Sequence, residues 1–125
     1  MAFSRIELRN FRCFETLTID ISNNSNLFYG KNGCGKTSIL ESIYVASCGR
    51  SFRTSNLEAL IKNGSNSFKI RAYDDNTGSI LEVNKTKSKA INIKINNSLV
   101  TISELARTFP SFSIDSKTFF YNDNA

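Results

Sequence analysis

The sequence predicts an α/β fold: a phosphate-binding loop and its helix on a sheet, followed by an antiparallel β meander. Three observations predict it. Gly30 to Thr37, Gly-Lys-Asn-Gly-Cys-Gly-Lys-Thr, fits G-x-x-x-x-G-K-[ST] and stands between an apolar strand and an amphipathic helix. From Ser67 to Ile95 the apolar residues recur with a period of two. Of the 125 residues 40% are hydrophobic, which suffices for one core in a chain this size and argues against disorder.

The first third builds the loop. Phe3 to Leu8 alternates apolar and polar, as do Leu17, Ile19 and Ile21, so two strands with one buried face each are expected. The turn between them, Arg9-Asn10-Phe11-Arg12-Cys13-Phe14, carries two arginines and two aromatics. Asn23 to Asn26 is a polar turn into a short buried strand, Leu27-Phe28-Tyr29. Gly30 to Gly35 then form a loop whose backbone N–H groups can turn inward around a phosphate, with glycines that let the anion approach closely. Lys36 starts a helix, so its ammonium and the positive end of the helix dipole act at one point. Thr37 offers a hydroxyl to Mg²⁺ bridging the β- and γ-phosphates. Ile39, Leu40, Ile43 and Tyr44 give the helix a buried face, and Gly49 ends it as the C-cap.

Beyond the helix, Arg50-Ser51-Phe52-Arg53-Thr54 reads as a loop with two arginines around one aromatic. Asn56 to Ile61 reads as a helical turn closed by Asn63-Gly64. The meander follows: Phe68 to Tyr73, a turn at Asp75 to Gly78, a return strand Ile80 to Val83, a basic loop Lys85 to Lys89, and Ile91 to Ile95 turning at Asn96-Asn97 towards Leu99 and Val100. The basic loop is a solvated hairpin tip or, through Lys85, Lys87 and Lys89, a contact for DNA. Thr101-Ile102-Ser103-Glu104 fits a capping box for a short helix, Glu104 to Thr108, stopped by Pro110. Phe112-Ser113-Ile114 is expected to be one more strand, and Phe119-Phe120-Tyr121 an apolar cluster in search of a packing partner.

Lysine and arginine outnumber aspartate and glutamate 16 to 11, a formal charge of +5. That balance is compatible with nucleic acid or with a nucleotide alone. Three cysteines, Cys13, Cys34 and Cys48, argue by odd number and wide spacing against a disulfide framework or a zinc site. No run reaches the length of a membrane span, and the N-terminus lacks the apolar core of a signal peptide, so no membrane association and a cytoplasmic location are expected.

The order of these parts resembles the RecF family of bacterial DNA replication and repair proteins, whose ABC-type ATPase head is related to SMC proteins. The resemblance rests on Leu8-Arg9-Asn10-Phe11-Arg12, on Gly30 to Tyr44, and on Gly49-Arg50-Ser51-Phe52-Arg53-Thr54. Leu60 to Gly64, Ile93 to Asn96, Glu104-Leu105-Ala106 and Phe109-Pro110 also fit. The resemblance implies lobe I of an SMC-like head, incomplete as a domain, that binds ATP and Mg²⁺. Gly30, Lys31, Asn32, Gly33, Cys34, Gly35, Lys36, Thr37 and Ser38 would cradle the phosphates, with Thr37 on Mg²⁺. Arg12 falls where SMC-like heads place a cation beside the phosphates; the alternative is a bare guanidinium on an exposed turn. Arg50 and Arg53 would face DNA or tie down the loop after the helix. The resemblance further implies single-stranded or gapped duplex DNA, recombination mediator proteins, and an ATP-dependent head-to-head dimer in the full-length protein.

The departures bear on activity. Family members are about three times longer, in keeping with two or three domains. These 125 residues show no signature motif, and no apolar strand ends in paired carboxylates; Asp74-Asp75 sits at a turn and is set aside. Hydrolysis depends on those groups, so the chain is expected to grip phosphate and to hydrolyse ATP poorly or not at all. Two other readings remain: a non-enzymatic remnant that binds DNA through its basic surface, and a different P-loop enzyme.

Overall fold

The structure, a computed structural model, describes residues 3–20 and 34–108. The expected strand Leu27-Phe28-Tyr29, Gly30 to Gly33 of the loop, Pro110, and the stretches Phe112 to Ile114 and Phe119 to Tyr121 lie outside them.

The alternating stretches become strands: β1 Arg5–Phe11, β2 Phe14–Asp20, β3 Ser67–Asp74, β4 Ser79–Thr86, β5 Asn92–Ile95 and β6 Ser98–Val100. They form one sheet of order β2-β1-β3-β4-β5-β6, in which every described neighbour pair is antiparallel. The meander runs as expected, with Asn96 and Asn97 both at positive φ in the β5–β6 turn. The sequence pattern did not show that β1 pairs with β3, Ile6 opposite Ala72 and Leu8 opposite Ile70, which fuses the N-terminal hairpin and the meander.

One helix, α1 Cys34–Cys48, lies on the inner face of this sheet against β1, β3 and β4. It begins two residues before the expected Lys36 and ends at Gly49, whose φ is 75° and whose N–H returns to the Val45 carbonyl at 2.8 Å. Between sheet and helix, Ile6, Leu8, Phe11, Phe68, Ile70 and Val83 from the strands meet Ile43, Val45 and Ala46. Each large side chain so buried contributes roughly 1.5–3 kcal/mol. Among the described residues β2 is one edge of the sheet, with Ile19 buried and Leu17 only half so.

The short elements seal the ends. Leu57–Leu60 is a 3₁₀ turn with Asn56 accepting from the Glu58 N–H. α2, Ile102–Thr108, starts two residues earlier than expected. Its capping box is complete: the Glu104 N–H donates to the Thr101 hydroxyl at 3.0 Å, and the Thr101 N–H to the Glu104 carboxylate at 2.9 Å. Asp74 closes the β3–β4 turn by accepting from the Asn76 N–H and the Thr77 hydroxyl. Cys13 is disulfide-bonded, contrary to what the cysteine spacing suggested, while Cys48 is a free thiol. Among the described residues no helix is long and apolar enough to cross a membrane.

Candidate functional site

A cavity of about 560 Å³ opens beside the first turns of α1. Thr37 and Ser38 reach it from the helix, Arg12 from the β1–β2 turn, Arg53 from the loop after α1, and Lys62 and Asn63 from beyond the 3₁₀ turn. Segments far apart in sequence thus meet at the helix end where a phosphate is favoured.

The Arg12 turn is held from three sides. Phe11 is fully buried, and the backbone on either side of it is left-handed, with φ of 54° at Asn10 and 56° at Arg12. Residues with a Cβ adopt this conformation at a cost, so neighbours must enforce it. Here the Arg12 N–H donates to the Leu60 carbonyl at 2.7 Å and the Lys62 N–H to the Asn10 carbonyl at 2.9 Å. The Arg12 guanidinium then grips Glu41 of α1 with two bonds, Nε to Oε1 at 2.8 Å and Nη2 to Oε2 at 3.0 Å.

Glu41 is the residue that sequence reading missed. Its side chain is 0% exposed, and besides Arg12 it accepts from Arg53 Nη1 at 3.4 Å and from the Ser51 hydroxyl. A buried carboxylate needs such partners, because its charge is not otherwise compensated away from water. The available signal was its spacing: Glu41 follows Thr37 by four residues and Ser38 by three, so all three share a helix face. Lys62 was missed as well; only its place after Ile61 at the end of a helical turn pointed to it.

The structure distributes the other expected residues as follows. Gly30, Lys31, Asn32 and Gly33 lie outside the described residues, and Cys34, Gly35 and Lys36 form the first turn of α1. Arg12, Thr37, Ser38 and Arg53 come together in the cavity. Arg12 is paired with the buried Glu41, and Arg53 Nη1 reaches the same carboxylate at 3.4 Å while its side chain stays partly exposed. Arg50 is exposed and lines a second pocket with Phe52, whose ring stands edge-on to Tyr44 at 5.3 Å. The Tyr44 phenol is pushed up by the neighbouring Cys48 sulfur and by burial.

Lys85 departs most from expectation. It belongs to β4 and points inward, 7% exposed, with its ammonium on the Thr86 carbonyl at 2.9 Å, on the Lys89 carbonyl, and 3.5 Å from Glu58. It caps the β4–β5 turn and is withdrawn from the surface. Lys87 and Lys89 remain exposed on that turn.

Comparison with known proteins fits this geometry. The family model of the RecF/RecN/SMC N-terminal domain matches residues 2–119. The DNA replication and repair protein RecF of Pseudoalteromonas translucida is 39% identical over 113 residues, covering 88% of this chain and 31% of that protein. RecF of Francisella tularensis subsp. mediasiatica is 38% identical over 122 residues, covering 95% and 35%. The chain thus spans about a third of the length of these curated relatives. Among solved structures, the recombination mediator protein RecF-ATPrS of the RecFOR pathway superposes with a TM-score of 0.69 at 25% identity, over 83% of this chain and 29% of that one. An SMC head bound to the C-terminal winged-helix domain of ScpA has the same fold, with a TM-score of 0.73 at 19% identity over 90% and 41%. A sheet carrying one long helix, an Asn-Phe-Arg turn tied to that helix, and a family match over nearly the whole chain agree that this chain belongs to the RecF/RecN/SMC N-terminal domain family.

Proposed function

We propose that residues 1–125 are the ATP-binding N-terminal lobe of a RecF-like DNA replication and repair protein. One observation carries this reading: Thr37 and Ser38, at the start of the loop-bearing helix, open on the same cavity as Arg12, Arg53 and Lys62. Three cations stand there against one buried carboxylate, Glu41. An excess of positive charge at a helix N-terminus suits a polyphosphate. The loop residues Gly30 to Gly35 would wrap the phosphates, Lys36 would meet the β- and γ-phosphates, and Thr37 would hold Mg²⁺, which neutralises phosphate charge when bound. The likeness to the RecF-ATPrS structure supports the choice of nucleotide.

DNA binding that depends on ATP is part of the same proposal, with Arg50, Lys87 and Lys89 as exposed phosphate contacts. Lys85 is left out because it is buried. Pairing with a second head and with recombination mediator proteins is proposed for the whole protein. Hydrolysis is assigned to groups that the 125 residues do not contain.

The test is a calorimetric titration of the purified chain with Mg-ATP, with Lys36→Ala as control. Saturable binding that the substitution abolishes is expected. Equal binding by both proteins overturns the phosphate site. Salt-sensitive DNA binding that ignores ATP and survives Lys36→Ala points instead to a basic surface without a nucleotide site.

A further inference from the structure

Glu41 joins two segments that lie on opposite sides of it in the sequence: the β1–β2 turn, through Arg12, and the loop after α1, through Ser51 and Arg53. We propose that Glu41 is a positioning residue for the nucleotide phosphates, acting through Arg12 and holding the Gly49–Thr54 loop in place beside the cavity before a phosphate enters it. The inference rests on the phosphate-site reading above.

The geometry supports it in three steps. Arg12 uses Nε and Nη2 on Glu41, which fixes the plane of the guanidinium and leaves its other N–H donors free of this carboxylate. That plane borders the cavity lined by Thr37 and Ser38. On the other side, the Ser51 hydroxyl donates to Glu41 and accepts from the N–H groups of Arg53 at 2.9 Å and Thr54 at 3.3 Å. One carboxylate therefore holds a turn on one side and a folded loop on the other.

Charge explains why the residue is an acid. Two guanidinium groups beside the positive end of a helix repel each other and the helix dipole. Glu41 offsets that repulsion before any phosphate arrives. Its oxygens are occupied by Arg12, Arg53 and Ser51, so it is not offered as a Mg²⁺ ligand although it lies one helical turn from Thr37. An arriving phosphate meets an arginine already oriented and a loop already closed, which lowers the ordering cost of binding.

A double-mutant cycle tests this in the 125-residue chain. Mg-ATP affinity is measured by calorimetry for wild type, Glu41→Gln, Arg12→Gln and the double variant, with Lys36→Ala as control for the site. Amide exchange at Arg53 and Thr54 is followed in parallel. Expected is a loss of about tenfold in affinity for Glu41→Gln, the size of one charge-assisted hydrogen bond, and little further loss when it is added to Arg12→Gln. Faster exchange at Arg53 and Thr54 is expected in Glu41→Gln while β3 and β4 stay protected. Glu41→Asp keeps the charge and should recover part of the affinity; if Glu41→Gln fails to fold, Glu41→Asp takes its place in the cycle. Lost affinity that persists in full in the Arg12→Gln background, or none at all, overturns the positioning role and leaves the phosphate site standing. Absent binding by wild type, or binding that survives Lys36→Ala, overturns the site and the role of Glu41 with it.

Discussion

Phe11 meets Phe68 edge-on, with ring centroids 5.2 Å apart and planes at 89°. This contact anchors the turn that presents Arg12. Both neighbours of Phe11 have left-handed backbone, a conformation stable only where the surroundings fix it. Phe11→Ala should cost about 3–5 kcal/mol, the usual range for a fully buried phenylalanine. Phe11→Leu should cost less, because it keeps most of the volume. Urea unfolding followed by circular dichroism reads both. A cost below about 1 kcal/mol for the alanine variant would show that the turn is held by its hydrogen bonds to Leu60 and Lys62 and by the Arg12–Glu41 pair, without the aromatic contact.

Gly49 and Gly64 both have positive φ, 75° and 87°, but they differ in their surroundings. A Cβ on Gly49 would stand 3.2 Å from Ile102 Cγ1 and 3.3 Å from Ile93 Cδ1, whereas one on Gly64 meets nothing within 4 Å. Gly64→Ala should therefore cost only the left-handed backbone, about 1 kcal/mol. Gly49→Ala adds crowding against α2 and β5, for a total of about 2–4 kcal/mol. Equal midpoints of thermal unfolding for the two variants would show that Ile102 moves aside without cost.

The fold was legible where one face of an element is buried and the other is wet. β3 and β4 alternate clearly enough that the hairpin and its turn at Asp75 to Gly78 follow from the pattern, and the Thr101 to Glu104 capping box states its own geometry. Pairing between distant strands leaves no such mark. β1 and β3 meet because Ile6 and Ile70 need one common inner face, and nothing local in either strand names its partner. The site divides in the same way. The loop motif before α1 is readable as an expectation because its pattern fixes consecutive residues, Gly30 to Thr37, although Gly30 to Gly33 lie outside the described residues. Glu41 is not, because its role depends on Arg12, Ser51 and Arg53 arriving from elsewhere. Lys85 misled because a run of lysines reads as solvated, while its position in β4 turns the side chain inward.

That inward turn separates stability from surface charge among the three lysines. Lys85→Ala removes the donor from the Thr86 and Lys89 carbonyls and the partner from Glu58. It should cost about 1–3 kcal/mol, whereas Lys87→Ala and Lys89→Ala should stay within about 0.5 kcal/mol of wild type. If the exposed pair touches nucleic acid, each of those two substitutions should reduce the slope of log affinity against log salt by about 0.7 for single strands. Lys85→Ala should leave that slope unchanged. Filter binding at three salt concentrations distinguishes the cases, and a reduced slope for Lys85→Ala alone would contradict its buried placement.

Acid should weaken the protein through two glutamates on the meander side. The Ser88 N–H holds the Glu58 carboxyl below its ordinary value of 4.5 against the opposing effect of desolvation, with Lys85 and Lys87 adding to the lowering. The Asn84 amide, and then Arg71 and Lys69, hold Glu82 below the same value. In the folded protein both groups release their protons more readily than in the unfolded chain. The unfolded chain therefore binds more protons in that window, and stability rises with pH there. The contribution is complete above about 4.5 and fades as the pH falls through the lowered values. Both sites are near the surface, so salt should shrink the effect. Glu58→Gln with Glu82→Gln should flatten the fall in unfolding midpoint between about pH 5 and pH 3, the span about the ordinary carboxylate value. The amide oxygen that replaces the carboxylate at position 58 can still accept from the Ser88 N–H, so the fold itself should survive. A double variant that loses stability as steeply as wild type over that range would assign the acid sensitivity to other carboxylates.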